Sequence, residues 1–528
     1  MRRMNLVSVL MVGMFAVTGT ALMQACTSDD PSPGLSGEGT GSGGKGGAPI
    51  GGFGGAAGAG DGKGGAGGAG IGGYVDLQSA ESDIATDAGA DALPAACAMI
   101  GNKDPVVLTL SADDSNSMAS PAFCRDMLAI GIEPVRSQIR TYEFLNYYRM
   151  PYPAPNPEPL KFYSELEERS IPGTYDFQIG LRSFDVVQRR AINLTFVIDT
   201  SGSMQGPGIK NARAALIAAA GQLAMGDRLS VVTWSSANNV ILDGLVVSGP
   251  SDPMALAAAD SLEAVGNSDL SKGLKAGFSL AEQYRDNDRM NRVVLISDGG
   301  ANLSVTDDEV IGQSAEDAMR EGIYLIGVGT GPPLSYNDRL MNTVTEKGHG
   351  AYVYLDSTDE AAFMFGPKRF DETMEIAARS VDVTITLPWY FSVQKFYGEA
   401  MSPTPLADIE PQHLAPNDAM VFHQVLEACD PSVIVPSDPV HFEANWKDPK
   451  TYEMKTTVYD GTIADLLSAP KVALPKGRAV VAFAEALKAP TKAVLHAALD
   501  LANTALLTTP DDDELKSIIA IIPKHPKF

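Results

Sequence analysis

Short hydrophobic runs alternate with longer amphipathic segments between residues 191 and 378. The first run, Ile192–Asp199 (INLTFVID), is largely apolar, as is typical of a strand buried on both faces of a parallel sheet. Further strands are predicted at residues 228–234, 239–245, 292–297, 323–327 and 351–355, and helices at 209–223, 253–264, 270–285, 307–320, 333–347 and 359–378. This alternation predicts an α/β fold with a doubly wound, mostly parallel sheet.

The segments on either side have different patterns. Upstream, residues 137–148 have helical spacing and residues 175–188 alternate like a strand. Downstream, we predict antiparallel strands at residues 381–386, 391–397, 419–426 and 451–459, followed by helices at 476–488, 490–506 and 511–521. This region therefore resembles a separate β-rich module with a helical C-terminal end.

The first hundred residues show no core-forming pattern after an initial apolar stretch. Residues 31–73 are dominated by glycine, and residues 74–100 continue as an Ala/Asp-rich stretch. Such segments bury almost nothing, so we expect a disordered tether. The predicted organisation is a signal peptide (1–25), a Gly/Ala-rich linker (26–104), an N-terminal segment (105–190), the α/β domain (191–378) and the C-terminal domain (379–528).

The N-terminus resembles a bacterial lipoprotein signal peptide. Arg2 and Arg3 precede an uncharged, largely apolar stretch, and small residues lead to Cys26. The alternatives are an ordinary signal peptide or a single membrane helix with an incidental cysteine. We expect export and acylation of Cys26, which would anchor the chain to the bacterial cell envelope. Thr27 follows in place of an inner-membrane retention aspartate, which favours the outer membrane.

The net charge limits the classes of binding partner, and the cysteines limit the possible disulfides. The 65 acidic residues outnumber the 40 basic residues, and the net charge of −25 argues against binding to nucleic acid. In an oxidising compartment a disulfide between Cys97 and Cys124 is plausible, which would leave Cys429 unpaired. The other interpretation is that all three are free thiols. Their spacing matches no zinc motif.

The clearest chemical motif follows the first buried strand. Asp199, Ser201 and Ser203 form an Asp-x-Ser-x-Ser pattern on one tight turn. Asp298 directly follows another buried strand, and Ser268 precedes a helix; Asp269 is the alternative to Ser268, or a cap of that helix. Ligands of open α/β sheets bind at the carboxyl ends of the strands. Carboxylates with hydroxyl oxygens suit a small hard cation, so we expect Mg²⁺ or Mn²⁺ here.

These motifs resemble the metal-ion-dependent adhesion site of von Willebrand factor A domains. The resemblance covers about residues 190–375 and is carried by the run Phe196-Val-Ile-Asp-Thr-Ser-Gly-Ser-Met204. It implies that Asp199, Ser201, Ser203, Ser268 and Asp298 hold the ion, and that an Asp or Glu of a protein partner fills the open position. The family usually has threonine where this chain has Ser268.

A second resemblance extends to both flanks. Residues 140–148 (RTYEFLNYY) with the following Pro-Tyr-Pro, residues 291–299 and residues 348–356 are similar to YfbK-type von Willebrand lipoproteins. That resemblance implies an N-terminal associated segment, the von Willebrand domain and a C-terminal domain. This resemblance supports the order of domains more strongly than it supports any particular binding partner.

Other functions have weaker support. The turn at Asp199 could simply cap a helix. A catalytic serine needs an oriented base, and no histidine lies in the predicted strand-end segments, so we do not expect an enzyme. No Gly-Lys-Ser/Thr phosphate loop is present, which argues against nucleotide binding. We therefore expect a metal-dependent binding protein; the alternatives are an envelope scaffold with a vestigial metal site and a metal-dependent hydrolase.

Overall fold

The computed structural model describes residues 95–267, 270–300, 322–348, 350–403 and 412–528. The predicted signal peptide with Cys26, the predicted glycine-rich tether, Ser268 and the predicted helix at 307–320 lie outside the described residues. In chain order the strands are β1 (Val106–Ser111), β2 (Leu160–Glu168), β3 (Thr174–Ser183), β4 (Ile192–Asp199), β5 (Arg228–Trp234), β6 (Asn238–Val246), β7 (Met290–Ser297), β8 (Ile323–Thr330), β9 (Tyr352–Leu355), β10 (Ala378–Leu387), β11 (Phe391–Phe396), β12 (Ala400–Ser402), β13 (Gln412–Leu414), β14 (Ala419–Ala428), β15 (Pro439–Lys447) and β16 (Met454–Thr462).

The helices cover both faces of the central sheet and extend to the C-terminus. In chain order they are α1 (Ala95–Ala98), α2 (Ala119–Ala129), α3 (Thr141–Tyr147), α4 (Pro207–Ala220), α5 (Pro253–Asp260), α6 (Leu270–Gln283), α7 (Asp338–Gly348), α8 (Thr358–Phe365), α9 (Phe370–Met374), α10 (Ile463–Ser468), α11 (Leu474–Lys488), α12 (Lys492–Thr508) and α13 (Asp513–Ile521). Among the described residues, no helix is long and apolar enough to cross a bilayer.

The central sheet confirms the predicted fold class. Its strand order is β6-β5-β4-β7-β8-β9, and all neighbours are parallel except β6, which runs antiparallel to β5. Every residue of β4, β7 and β8 is buried. Helices on both faces shield these strands from water, which explains their nearly continuous apolar sequences.

Helix α6 lies unusually close to the sheet. A Cβ atom added at Gly277 would lie 2.1 Å from Cγ2 of Val197, and one added at Gly273 would lie 2.3 Å from Cγ of Trp234. Only glycine permits this approach, because each neighbour is a rigid side chain of a central strand. The two glycines therefore hold the start of α6 beside the end of β4.

The two flanking segments form one β-sandwich. Strand β1 pairs with β10 and β12, in the sheet ordered β12-β1-β10-β15-β16, with β13 also paired to β10. The facing sheet has the order β11-β14-β3-β2. Buried apolar side chains of both sheets form a common core, in which Phe442 lies 6.0 Å from Phe162 and 5.9 Å from Phe177, measured between ring centroids.

This pairing differs from the prediction of a separate C-terminal module. The N-terminal segment contributes β1, β2 and β3 to sheets that the C-terminal region completes, and the α/β domain is inserted between them. The prediction also lacked β15, although Val440, Phe442, Ala444 and Trp446 alternate with polar residues along it. Pairing between segments more than two hundred residues apart leaves no local pattern in either one.

The predicted disulfide between Cys97 and Cys124 is wrong. Cys97 of α1 is bonded to Cys429, which directly follows β14, and the bond spans 332 residues of sequence. Cys124, a residue of α2, is a free thiol buried in the apolar core. The bond therefore ties the first described helix to the β-sandwich.

Peptide mapping can check this pairing. Under non-reducing conditions we expect one linked pair of peptides, containing Cys97 and Cys429. Cys124 should resist alkylation until the protein unfolds, because burial raises the pKa of its thiol well above the usual value and keeps it neutral. Recovery of a peptide pair joining Cys97 to Cys124 would contradict the structure.

Candidate functional site

The Asp-x-Ser-x-Ser motif occupies the turn between β4 and α4. Asp199 is the last residue of β4 and is fully buried. Its Oδ1 accepts a hydrogen bond of 2.8 Å from the backbone N–H of Ser201, which closes the turn. The hydroxyl oxygens of Ser201 and Ser203 are 3.0 Å apart, so both point to the same side. Ser203 is exposed, which leaves this side accessible to a ligand.

Asp298 enters the site from the neighbouring strand. It directly follows β7, which pairs in parallel with β4, so both strands end at the same edge of the sheet. Its Oδ1 accepts the N–H of Gly300 at 2.8 Å. Its Oδ2 is buried and has no hydrogen-bond partner among the described residues. An orphaned carboxylate oxygen of this kind needs a bound ion, a water molecule or a proton.

The space around Gly300 shows how close the two motifs are. A Cβ atom at Gly300 would lie 2.7 Å from Oδ1 of Asp298 and 3.1 Å from Oγ of Ser203. The second carboxylate and the second hydroxyl of the predicted set therefore border one small space. Asp199, Ser201, Ser203 and Asp298 come together as the sequence predicts.

Ser268 lies outside the described residues, so its predicted role remains a prediction. The residues just before it run beside the turn that carries Ser201 and Ser203. The N–H of Gly202 donates to the carbonyl of Gly266 at 2.9 Å, and the N–H of Val265 donates to the carbonyl of Thr200 at 2.7 Å. The segment that leads to Ser268 is thus hydrogen-bonded to the turn that carries Ser201 and Ser203.

The charge of Asp298 affects the pKa of Asp199. Burial raises the pKa of Asp199 to about 6, hydrogen bonds from Ser201 and Ser297 oppose this rise, and the nearby charge of Asp298 adds to it. Bringing two acidic groups together in a buried site is unfavourable unless a positive charge lies between them. The electrostatics of the site therefore favour a cation.

Sequence reasoning missed one supporting residue. The hydroxyl of Ser297 donates to Oδ2 of Asp199 at 2.8 Å and accepts the N–H of Gly299 at 3.0 Å. It thereby connects the end of β4 with the turn after β7. The signal was available, because Ser297 is the one polar residue at the end of an otherwise apolar run, directly before Asp298.

A third strand end encloses Asp298. Gly331, the residue after β8, has a φ of +118°, and a Cβ atom there would lie 3.0 Å from Cβ of Asp298. The carbonyl of Asp298 accepts the N–H of Asn337 at 3.0 Å. The hydrogen bond from Asn337 holds the backbone of Asp298, and Gly331 leaves room for its side chain. Oδ2 of Asp298 stays without a hydrogen-bond partner among the described residues.

The donor set fits a divalent cation of the hard type. Mg²⁺ and Mn²⁺ prefer oxygen ligands and keep several waters, so a few carboxylate and hydroxyl oxygens on one open side are sufficient. Asp199, Ser201, Ser203 and Asp298 would hold the ion, with Ser268 as the predicted fifth residue. No group of three or more His, Cys, Asp or Glu side chains in the described part of the chain offers a different kind of metal site.

Comparisons with known proteins agree with this geometry. The family model "von Willebrand factor type A domain" matches residues 194–301. The uncharacterized protein YfbK of Escherichia coli is 28% identical over 274 residues, which cover 48% of this chain and 45% of YfbK. Inter-alpha-trypsin inhibitor heavy chain H3 of Homo sapiens is 27% identical over 171 residues, or 31% of this chain and 19% of that protein.

Among solved structures, a von Willebrand factor type A protein from Catenulispora acidiphila aligns with a TM-score of 0.43 at 15% identity, covering 70% of this chain and 91% of that chain. The chain spans less than half the length of the curated relatives named above. The matched residues 194–301 include all five predicted metal-site positions, four of which lie in described segments. Residues 194–301 therefore form a von Willebrand factor type A domain, and over 48% of its length the chain is similar to YfbK.

Proposed function

We propose that this chain binds a protein partner through a divalent cation held at the carboxyl edge of the central sheet. The observation that carries the proposal is the buried Oδ2 of Asp298, which has no hydrogen-bond partner among the described residues and belongs to a side chain beside the hydroxyl of Ser203. Mg²⁺ or Mn²⁺ supplies a Lewis-acidic position that a carboxylate of the partner can fill. The protein side chains hold the ion and leave the exposed side for that carboxylate.

A binding role is favoured over a catalytic one by the contacts of the two serines. Their hydroxyl groups hydrogen-bond to each other. A nucleophilic serine would instead need a base in hydrogen-bond contact. The inferred role of the ion is therefore recognition.

We further propose that the binding domain is attached to the outer membrane of a bacterial cell envelope. The support lies in the sequence alone: the signal-like N-terminus, Cys26 and the glycine-rich segment that follows it. A glycine-rich segment of this length between Cys26 and the folded part would place the folded part away from the lipid surface.

A capture experiment tests the proposed function. The full chain, immobilised, is incubated with envelope extract in Mg²⁺ or in EDTA, and the retained proteins are identified. We expect a partner that is retained in Mg²⁺ and lost in EDTA, and that Asp199→Ala also fails to retain. The matched control is Asp500→Ala, which removes an exposed carboxylate from α12 and should capture normally.

Two outcomes would count against the proposal. If capture is equal in Mg²⁺ and in EDTA, the ion has no role in recognition. If Asp199→Ala captures the same partner as the unmodified chain, the flanking β-sandwich is the binding surface and the chain acts as a scaffold.

A further inference from the structure

A cavity lined by basic residues lies at the edge of the central sheet opposite the metal site. It is bordered by the first residues of β7, by Gly322 just before β8, by β10 and by the turn between β15 and β16. Its volume is about 660 Å³. We call it the basic cavity. The basic residues that line it are Arg190, Arg285, Arg289, Arg292, Arg379 and Lys450.

This concentration of positive charge is unusual for the chain. The protein carries a net charge of −25, yet the basic cavity has six basic residues and one acidic residue, Asp288. Neighbouring carboxylates offset part of the charge, as in the pair of Arg190 with Glu375 at 2.9 Å. Two further pairs, of Arg285 and Arg289, are partly exposed and therefore weak.

Arg292 lies deepest and has no carboxylate in ion-pair contact within the part of the chain that the structure describes. It is 4% exposed, and its guanidinium donates to the carbonyls of Met374 and Asn291 and stacks on the ring of Tyr324 at 4.9 Å. Burial, together with the charges of Arg190 and Arg379, lowers its pKa to about 10. The nearby charge of Glu375 opposes this lowering only in part. A buried cation whose direct contacts are all neutral is stabilised strongly when an anion reaches it.

Arg379 presents a second guanidinium to the same space. It stacks between Tyr324 and Tyr452, at 4.7 Å from each ring centroid, and donates to the hydroxyl of Tyr452 at 2.9 Å. Its Nε is buried and has no hydrogen-bond partner among the residues described. The two tyrosines therefore fix the orientation of Arg379 while one of its donors remains available.

We propose that the basic cavity binds a small organic anion that carries at least two phosphate or carboxylate groups. Guanidinium groups recognise both kinds of anion through paired hydrogen bonds, and several of them favour a ligand with more than one charge. The volume is that of a small-molecule site. The acidic remainder of the surface repels long polyanions, so a compact ligand fits better than a polymer.

Calorimetric titration of the full chain tests this inference. Pyrophosphate and citrate serve as phosphate and carboxylate probes. The protein is first freed of metal on an immobilised chelating resin, so that the proposed metal site plays no part and no soluble chelator competes for the cavity. We expect one binding site for at least one probe, and the probe bound more tightly shows which kind of anion the cavity prefers. Arg379→Gln should weaken binding by about ten-fold, since a charge-assisted hydrogen bond is lost.

A control variant and a second cavity variant distinguish a loss of binding from a loss of folding. Arg228 also stacks on a tyrosine, at 4.6 Å from the ring of Tyr284, but it lies outside the basic cavity, so Arg228→Gln should bind the probe normally. Lys450 is exposed, so Lys450→Glu should leave the fold intact and weaken binding by at least about three-fold through charge reversal. The inference is overturned if neither probe binds at millimolar concentration, or if Arg379→Gln and Lys450→Glu both bind as the unmodified chain does.

Discussion

Asp298→Asn is expected to abolish the stabilisation of this protein by Mg²⁺ or Mn²⁺. An ion that binds only the native state at one hundred times its Kd stabilises it by about 2.7 kcal/mol. Asparagine has the shape of aspartate and keeps an oxygen acceptor for the N–H of Gly300, so the turn after β7 should persist. It removes the charge, and metal affinity should fall by at least about 100-fold because even outer-shell changes cost 10- to 100-fold.

The same substitution should have the opposite effect without metal. In EDTA the buried carboxylate of Asp298 lies near that of Asp199 and adds to the rise of its pKa. Neutralising one of the two removes this repulsion. We therefore expect Asp298→Asn to be at least as stable as the unmodified chain in EDTA, although it no longer responds to metal.

Thermal unfolding with EDTA, then with added Mg²⁺ or Mn²⁺, measures both effects. Asp500→Asn, which changes an exposed carboxylate on α12, should show the full metal-dependent shift. A metal-dependent shift of normal size in Asp298→Asn would remove Asp298 from the ligand set. Absence of a shift in the unmodified chain would count against the metal site itself.

Arg369→Met is expected to destabilise the folded protein by about 3–5 kcal/mol, the usual cost of removing one partner from a buried ion pair. The side chain of Arg369 is fully buried between α8 and α9. It lies 3.8 Å from Glu372 and 3.3 Å from Glu514, donates to the carbonyl of Tyr147, and stacks on Phe363 at 4.9 Å. It thus joins the end of the α/β domain to α3 and to the C-terminal helix α13.

The destabilisation should be larger at pH 8 than at pH 5. Burial raises the pKa of Glu372 to about 7, an effect that Arg369 opposes and Asp418 reinforces. Without Arg369 the native pKa of Glu372 rises further. A raised carboxyl pKa favours the native state below the unfolded value of about 4.3, and this contribution is lost as the pH rises through the native pKa. At pH 8 the variant must therefore bury a carboxylate that keeps its ion pair with Arg149 but has lost the opposing charge of Arg369.

Urea unfolding at the two pH values measures this difference. Arg285→Met is the matched control, because its ion pair with Glu282 is 35% and 45% exposed and should contribute less than about 1 kcal/mol. Equal losses for the two variants, or a larger loss for Arg369→Met at pH 5, would contradict the role of this buried cluster.

Most of the α/β domain could be predicted from the sequence. The predicted strands at 192–199 and 228–234 agree with β4 and β5 at both ends. Each of these strands is buried on both faces, so its hydrophobic run is local and continuous. Helix boundaries were less accurate: α7 begins at Asp338, five residues after the predicted start, and the predicted helix at 359–378 is interrupted between α8 and α9.

The candidate site was predictable to the extent that its residues are adjacent in sequence or follow buried strands. Asp199, Ser201 and Ser203 share one turn, and Asp298 follows from the rule that parallel strands end at a common edge. The hydrogen bond of Ser297 to Asp199 joins residues 98 apart and depends on the neighbouring positions of β4 and β7.

The sequence by itself therefore determined the alternating α/β core and the oxygen-rich turn after β4, because both follow from the local periodicity and spacing of residues. Only the tertiary structure decided that β1, β2 and β3 share two sheets with the C-terminal strands, that Cys97 bonds to Cys429, and that six basic residues meet in one cavity. These features join distant segments of the chain. The free energy that stabilises these features comes from burial and pairing between distant segments, and no stretch of neighbouring residues encodes it.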